Sequence, residues 1–210
     1  MVRDAVGIGL AVGAYGLSFG AAAISAGLST AQACALSLLV FTGASQFALV
    51  GVLGAGGGVP AALAGALLLG SRNSLYAVRL SSLLAVRGPR RLLAAQLTID
   101  ESTGMATAAP AGLAGTAFWV TGGVIYVLWN LATVLGALGA ARLGDPAVLG
   151  LDAAVPAAFL CLLAPQVRER KTLAVAVAGA LVALVAVPVT PPGVPVLLAA
   201  VAVVPLLVRR

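Results

Sequence analysis

The run AVGIGLAVGAYGLSFGAAAISAGLSTAQACALSLLVFTGASQFALVGVLGAGGGVPAALAGALLLGS (residues 5–71) contains no charged side chain. At about 20 apolar residues per crossing, it holds two membrane helices and leads into a third. No soluble domain leaves such a stretch uncharged, so this run decides the fold class: an α-helical membrane protein. Its apolar residues are continuous and do not alternate every second position, which argues against a membrane β-barrel.

The rest of the chain agrees. Of its 210 residues 61% are hydrophobic and 9% are charged, with a mean hydropathy of +1.13. A soluble domain carries about 25% charge. The net charge of +6 comes from twelve Lys+Arg against six Asp+Glu, clustered between apolar runs. That placement reads as loop anchoring on the cytoplasmic side rather than a nucleic-acid surface. There is no histidine, which removes His-based catalysis and His-ligated metals. Cys34 and Cys161 each lie alone in apolar sequence and read as small core residues. No cofactor and no enzymatic activity are expected: Ser45 has no histidine to activate it, and the one lysine, Lys171, sits in a loop.

Spans are predicted at about 5–27, 31–53, 60–84, 115–139, 147–165, 172–187 and 194–208. Asp4 and the length of the apolar run favour an uncleaved first span over a signal peptide. Gly16 and Gly20 have the spacing of a close helix–helix contact, and Ser29 or Thr30 is placed to cap the second helix. The basic loops VRGPRR (86–91) and QVRERK (166–171), with Arg209 and Arg210, are assigned to the cytoplasmic side. Segment 92–113 then begins and ends on that side as an interfacial or re-entrant element. The expected architecture is a single domain over 1–210, an all-α polytopic transmembrane bundle of about seven spans, with the N-terminus outside. Six or eight spans are the alternatives.

Three polar knots interrupt the apolar sequence. In FTGASQFALVG (41–51), Thr42, Gly43, Ser45 and Gln46 suggest a broken helix near 43–46, or else close helix packing with Gln46 as an interhelical hydrogen-bonding group. In LLLGSRNSLY (67–76), Gly70, Ser71, Arg72, Asn73 and Ser74 suggest a second break near 70–74 with Arg72 facing a carboxylate, or an Arg reaching the interface. Arg79 reads as an anchor. In LTIDESTGMA (97–106), Asp100 and Glu101 are adjacent and point about 100° apart on a helix, so they are no catalytic dyad. They suit an ammonium contact or a proton carrier, or a plain helix start. Asp145 reads as a turn residue before Pro146, and Trp119, Tyr126 and Trp129 as anchors or packing groups.

These three knots, in this order, resemble the AzlC (azaleucine-resistance) family. FTGASQFALVG, SRNSLYAVRLSSLL (71–84) and LTIDESTGMA carry the resemblance, which covers most of the first half. It implies a bacterial inner-membrane exporter of branched-chain amino acids working with a small AzlD-like membrane protein. Relatives often read Asn-Ala-Arg-His-Leu-Leu-Tyr where this chain has Gly70 to Tyr76. The Arg and Tyr carry over to Arg72 and Tyr76; the Asn and His do not, being Gly70 and Asn73 here. The acidic pair carries over to Asp100 and Glu101.

The expected function is therefore a secondary transporter of small neutral amino acids. Arg72, Asn73, Tyr76, Thr42, Gly43, Ser45 and Gln46 are the expected substrate contacts. Asp100 and Glu101 are expected to bind the ammonium or a coupling proton. The rival expectation is a non-transporting scaffold subunit, in which the polar knots seal a dry helix seam.

Overall fold

The computed structural model describes residues 2–142, 154–164 and 167–208. These form α1 (Val2–Ser25), α2 (Thr30–Val40), α3 (Ala44–Gly54), α4 (Val59–Gly70), α5 (Arg72–Leu84), α6 (Arg90–Gln96), α7 (Asp100–Ala108), α8 (Ala114–Arg142), α9 (Ala154–Leu163), α10 (Arg170–Ala186) and α11 (Val194–Val208), with one short 3-10 turn at Val187–Val189. No strand occurs among the described residues. Asp145 and Asp152 lie outside them. Helices α1, α8 and the run Arg170–Val189 are long and apolar enough to cross a membrane.

The scaffold is the pairing of α1 with α8. Gly9 lies against Val124 and Leu128, Gly16 against the Trp129 carbonyl, and Gly20 against Thr133 and Ala137. Contacts advance in the same direction along both helices, so the pair is parallel. A Cβ on Gly16 would come within 2.8 Å of the Trp129 carbonyl oxygen, and one on Gly20 or Gly136 would overlap the facing backbone of Thr133 or Leu17. Glycine is required there because nothing larger fits between two touching backbones. The Gly16–Gly20 spacing seen in sequence is this seam.

Between α1 and α8 the chain makes two hairpins of short helices. Ser29 starts α2 with a capping box: its hydroxyl accepts from Gln32 N, and its own amide donates to Gln32 Oε1. The helix then runs back alongside α1 and α8, with Ser37 Oγ donating to Thr133 Oγ1 at 3.1 Å. It stops at Phe41, which adopts a left-handed conformation (φ 33°). From Ala44, α3 returns to the level where α2 began: Gly54 sits against Ala26, and Leu53 borders Leu28 and Gln32. In place of the single span expected over 31–53 the chain makes two short helices folded into a hairpin with its tip at 41–43. Eleven residues per arm reach only about 16 Å, too short to cross.

The second hairpin comes from the other end. Ala94 of α6 and Ala106 of α7 both pack on Phe118, near the start of α8, together with Leu80. Its tip, Leu97–Ile99, reaches up to Gly122 and Ile125. The stretch 92–113, expected to be an interfacial or re-entrant element, holds these two short helices. Between the hairpins, α4 and α5 run the full height. Gly70 meets Ser45, while Leu80 joins the Phe118 cluster. The break expected at 70–74 is reduced to one residue, Ser71. It keeps helical dihedrals (φ −57°, ψ −27°), and its amide still donates to Leu67 O. Pro192 and Gly193, ahead of α11, lie on Val52, Gly57 and Ala61, at the end where α3 finishes.

The glycine seam makes a contrast in one helix. Gly20→Leu should destabilise the protein by about 1–3 kcal/mol or more, since overpacking forces the backbones apart. Gly7→Ala, which meets nothing within 4 Å, should be neutral or gain up to about 1 kcal/mol of helix propensity. Thermal melting in detergent measures both; equal melting temperatures would show that the seam does not hold the fold.

Candidate functional site

The two hairpin tips meet at the middle of the bundle, and a cavity lies where they meet. Its walls are Val12 and Tyr15 of α1, Phe41 to Ala44 and Phe47 of the first hairpin, Ile99 to Glu101 of the second, Ile125 and Trp129 of α8, and Arg72. About 70 Å³ is open to the centre of a water-sized sphere. That is room for roughly five waters, or a solute of that order.

Opening a helix at such depth exposes backbone groups that lipid cannot satisfy. Side chains close both breaks in the same manner. Gln46, the third residue of α3, accepts from Thr42 N (3.2 Å) and Gly43 N (3.1 Å) with Oε1 and donates through Nε2 to Leu36 O (3.1 Å). Ser102, the third residue of α7, accepts from Ile99 N (3.1 Å) and donates to Leu97 O (2.6 Å). Asn73 Nδ2 donates to Thr98 O (3.1 Å), and Thr98 Oγ1 to Ala94 O (2.7 Å). Leu38 O, left over at the end of α2, accepts from Gln96 Nε2 (2.8 Å) and Tyr126 OH (3.1 Å). The hairpins are therefore tied to each other as well as within themselves.

Arg72 and Asp100 form an ion pair, Nη2 to Oδ2 at 2.9 Å, with each side chain about one-third exposed (33% and 38%). Both residues line the central cavity and also a second, more open pocket with Tyr76, Thr103, Gly104 and Thr107. The pair stands between the two spaces. Three polar atoms on cavity-lining residues are buried without a hydrogen-bond partner: Thr42 Oγ1, Asp100 Oδ1 and Trp129 Nε1. A buried polar atom without a partner costs about 1–3 kcal/mol, so a polar guest that reached these atoms would be stabilised there.

The predicted site residues are distributed as follows. Thr42, Gly43, Arg72, Asp100 and Glu101 line the cavity, and Tyr76 lines the outer pocket. Ser45, Gln46 and Asn73 do not. Ser45 is buried under Gly70, while Gln46 and the Nδ2 group of Asn73 bond to backbone at the two breaks. From sequence, Trp129 is expected to anchor or pack. It does pack, stacked on Phe19 and edge-on to Phe47, but it also walls the cavity. Val12, Tyr15, Phe47 and Ile125 carry no signal in the sequence, because an apolar residue facing a void looks the same there as one facing lipid.

A family model described as AzlC protein matches residues 7–143, well over half the chain. The chain belongs to the AzlC family. The matched region contains both hairpins and the whole of the α1–α8 seam, and stops where α8 ends. Comparison with curated proteins and with solved structures finds no match. In this AzlC-family chain, Gln46→Met keeps the side-chain volume but orphans two amides and a carbonyl. It should lower stability by about 1–3 kcal/mol for each group left unpaired. Melting in detergent reads this, and an unchanged midpoint would mean that water, not Gln46, satisfies the tip.

Proposed function

We propose that the protein is a secondary transporter that exports small neutral, mainly branched-chain, amino acids across the bacterial cytoplasmic membrane, together with a small AzlD-like membrane subunit. The observation that carries this reading is the central cavity. It places a guanidinium, two carboxylates and the start of α3 beside the apolar side chains of Val12, Phe47 and Ile125. A branched amino acid is a carboxylate and an ammonium next to a short hydrocarbon tail, and it needs both kinds of surface within a few ångströms. Membership of the AzlC family supports the substrate class, and the size of the void suits a small solute. A scaffold subunit would fill this place with a dry, fully paired seam; the three unpartnered polar atoms weigh against that.

For the membrane arrangement we infer six crossings and two re-entrant hairpins. Parallel α1 and α8 have the same transmembrane sense, with α4–α5 crossing once between them. The apolar run expected from sequence to span at 147–165, with α10 and α11, supplies the other three. Arg87, Arg90 and Arg91 then share a side with Val2 and the start of α8, which makes that side cytoplasmic. This replaces the seven-span reading and moves the N-terminus inside. The hairpins enter from opposite faces, so alternating access needs only one tip to move at a time.

Two experiments follow. Arg72→Ala and Asp100→Asn should each abolish resistance to a toxic valine analogue, a loss of at least about tenfold in export, with the protein still in the membrane. Wild-type export by both variants would remove the cavity from the transport path. In a background lacking Cys34 and Cys161, Val2→Cys and Ala55→Cys should be labelled from opposite faces. Labelling of both from the same face would restore the seven-span topology.

A further inference from the structure

The cavity contains two helix starts, and their charges differ. The positive end of α7 is matched by its own first-turn acids, Asp100 and Glu101. The positive end of α3 has no acidic residue in its first turn. Gln46 repairs the amides of Thr42 and Gly43, which leaves those of Ala44, Ser45 and Gln46 without a helical acceptor. Arg72, the obvious anion ligand, is already engaged by Asp100 at 2.9 Å. A different donor is unengaged: Trp129 is 4% exposed, lines the cavity, and its buried Nε1–H has no acceptor. The Cη2 edge of the Trp129 ring borders the α3 start, since a Cβ on Gly43 would lie 4.0 Å from that atom. Thr42 Oγ1, also unpartnered, sits at the same tip.

We propose that the carboxylate of the substrate docks on the start of α3, with Trp129 Nε1–H and the Thr42 hydroxyl as its side-chain donors. Its ammonium faces the unpartnered Oδ1 of Asp100 and the neighbouring Glu101. Arg72 then acts as a positioning residue: it holds the other oxygen of Asp100 and orients that carboxylate. Val12, Phe47 and Ile125 are left to meet the hydrocarbon tail. The zwitterion lies between the two hairpins, one charged group on each, so its occupancy draws both tips onto one ligand. The inference rests on the amino-acid reading of the cavity and deepens it by reassigning the carboxylate from Arg72 to Trp129 and α3.

The test measures binding of L-leucine and of L-leucinamide, which keeps the ammonium and the tail but lacks the carboxylate, to the full-length protein in lipid nanodiscs. Wild type should bind leucine more tightly than the amide by tenfold or more. Trp129→Phe keeps the ring packing on Phe19 and removes the donor. It should weaken leucine about ten- to hundred-fold, the usual value of a hydrogen bond to a charged group, and leave the amide unchanged. Thr42→Val should act in the same direction, and an unchanged melting temperature shows that either variant is folded. Arg72→Lys retains a counter-charge for Asp100 and should keep the preference for leucine. If Trp129→Phe and Thr42→Val both bind leucine like wild type, or if Arg72→Lys alone erases the preference, Arg72 holds the carboxylate and the inference is overturned. If wild type binds neither compound, the amino-acid reading itself fails, and the inference with it.

Discussion

A helix that stops in the middle of a membrane protein must find partners for the amides and carbonyls it opens, because lipid offers none. Everything distinctive in this chain follows from that requirement. Two breaks are made, at 41–43 and 97–99, and at each the third residue of the following helix turns back to accept the freed amide. Asn73 and Gln96 then bridge from one element to another, so repairing a break also fixes its place. The polar residues that looked like a site in sequence are in part the framework that allows a site to exist.

Such short hairpins bury little apolar surface of their own. They hold position because α1 and α8 approach within backbone contact, which only glycine permits, and present a fixed wall of Val12, Tyr15, Ile125 and Trp129. The hairpins enter that wall from opposite ends, and their tips face each other across the void. The pseudo-symmetry involves construction, not sequence: Phe-Thr-Gly-Ala-Ser-Gln and Leu-Thr-Ile-Asp-Glu-Ser share little beyond a threonine at the tip and a capping side chain three residues into the helix. That is why no repeat is visible along the chain.

Much of the design was legible. The charge-free run fixed the class, Gly16 and Gly20 marked the seam, Ser29 marked a helix start, and the knot at 41–46 marked the first break within a residue or two. Other features misled. The knot at Gly70 to Ser74 looked as polar as the first, yet Ser71 holds helical dihedrals and the chain passes through. Residues 31–53 had the length and hydropathy of a span, and no local signal says that a broken helix reverses instead of continuing.

By itself the sequence determined what kind of solvent the chain meets, where polar groups interrupt it, and which acids and arginines are available to a ligand. Hydropathy and side-chain chemistry are local properties, so they survive being read one residue at a time. Only the tertiary structure decided the parallel sense of α1 and α8, the reversal at the tips, and the engagement of Arg72 by Asp100 beside a void that Trp129 also lines. They include pairings between residues more than a hundred positions apart in the chain, as between Leu17 and Gly136, and they are set by which surfaces fit together in space.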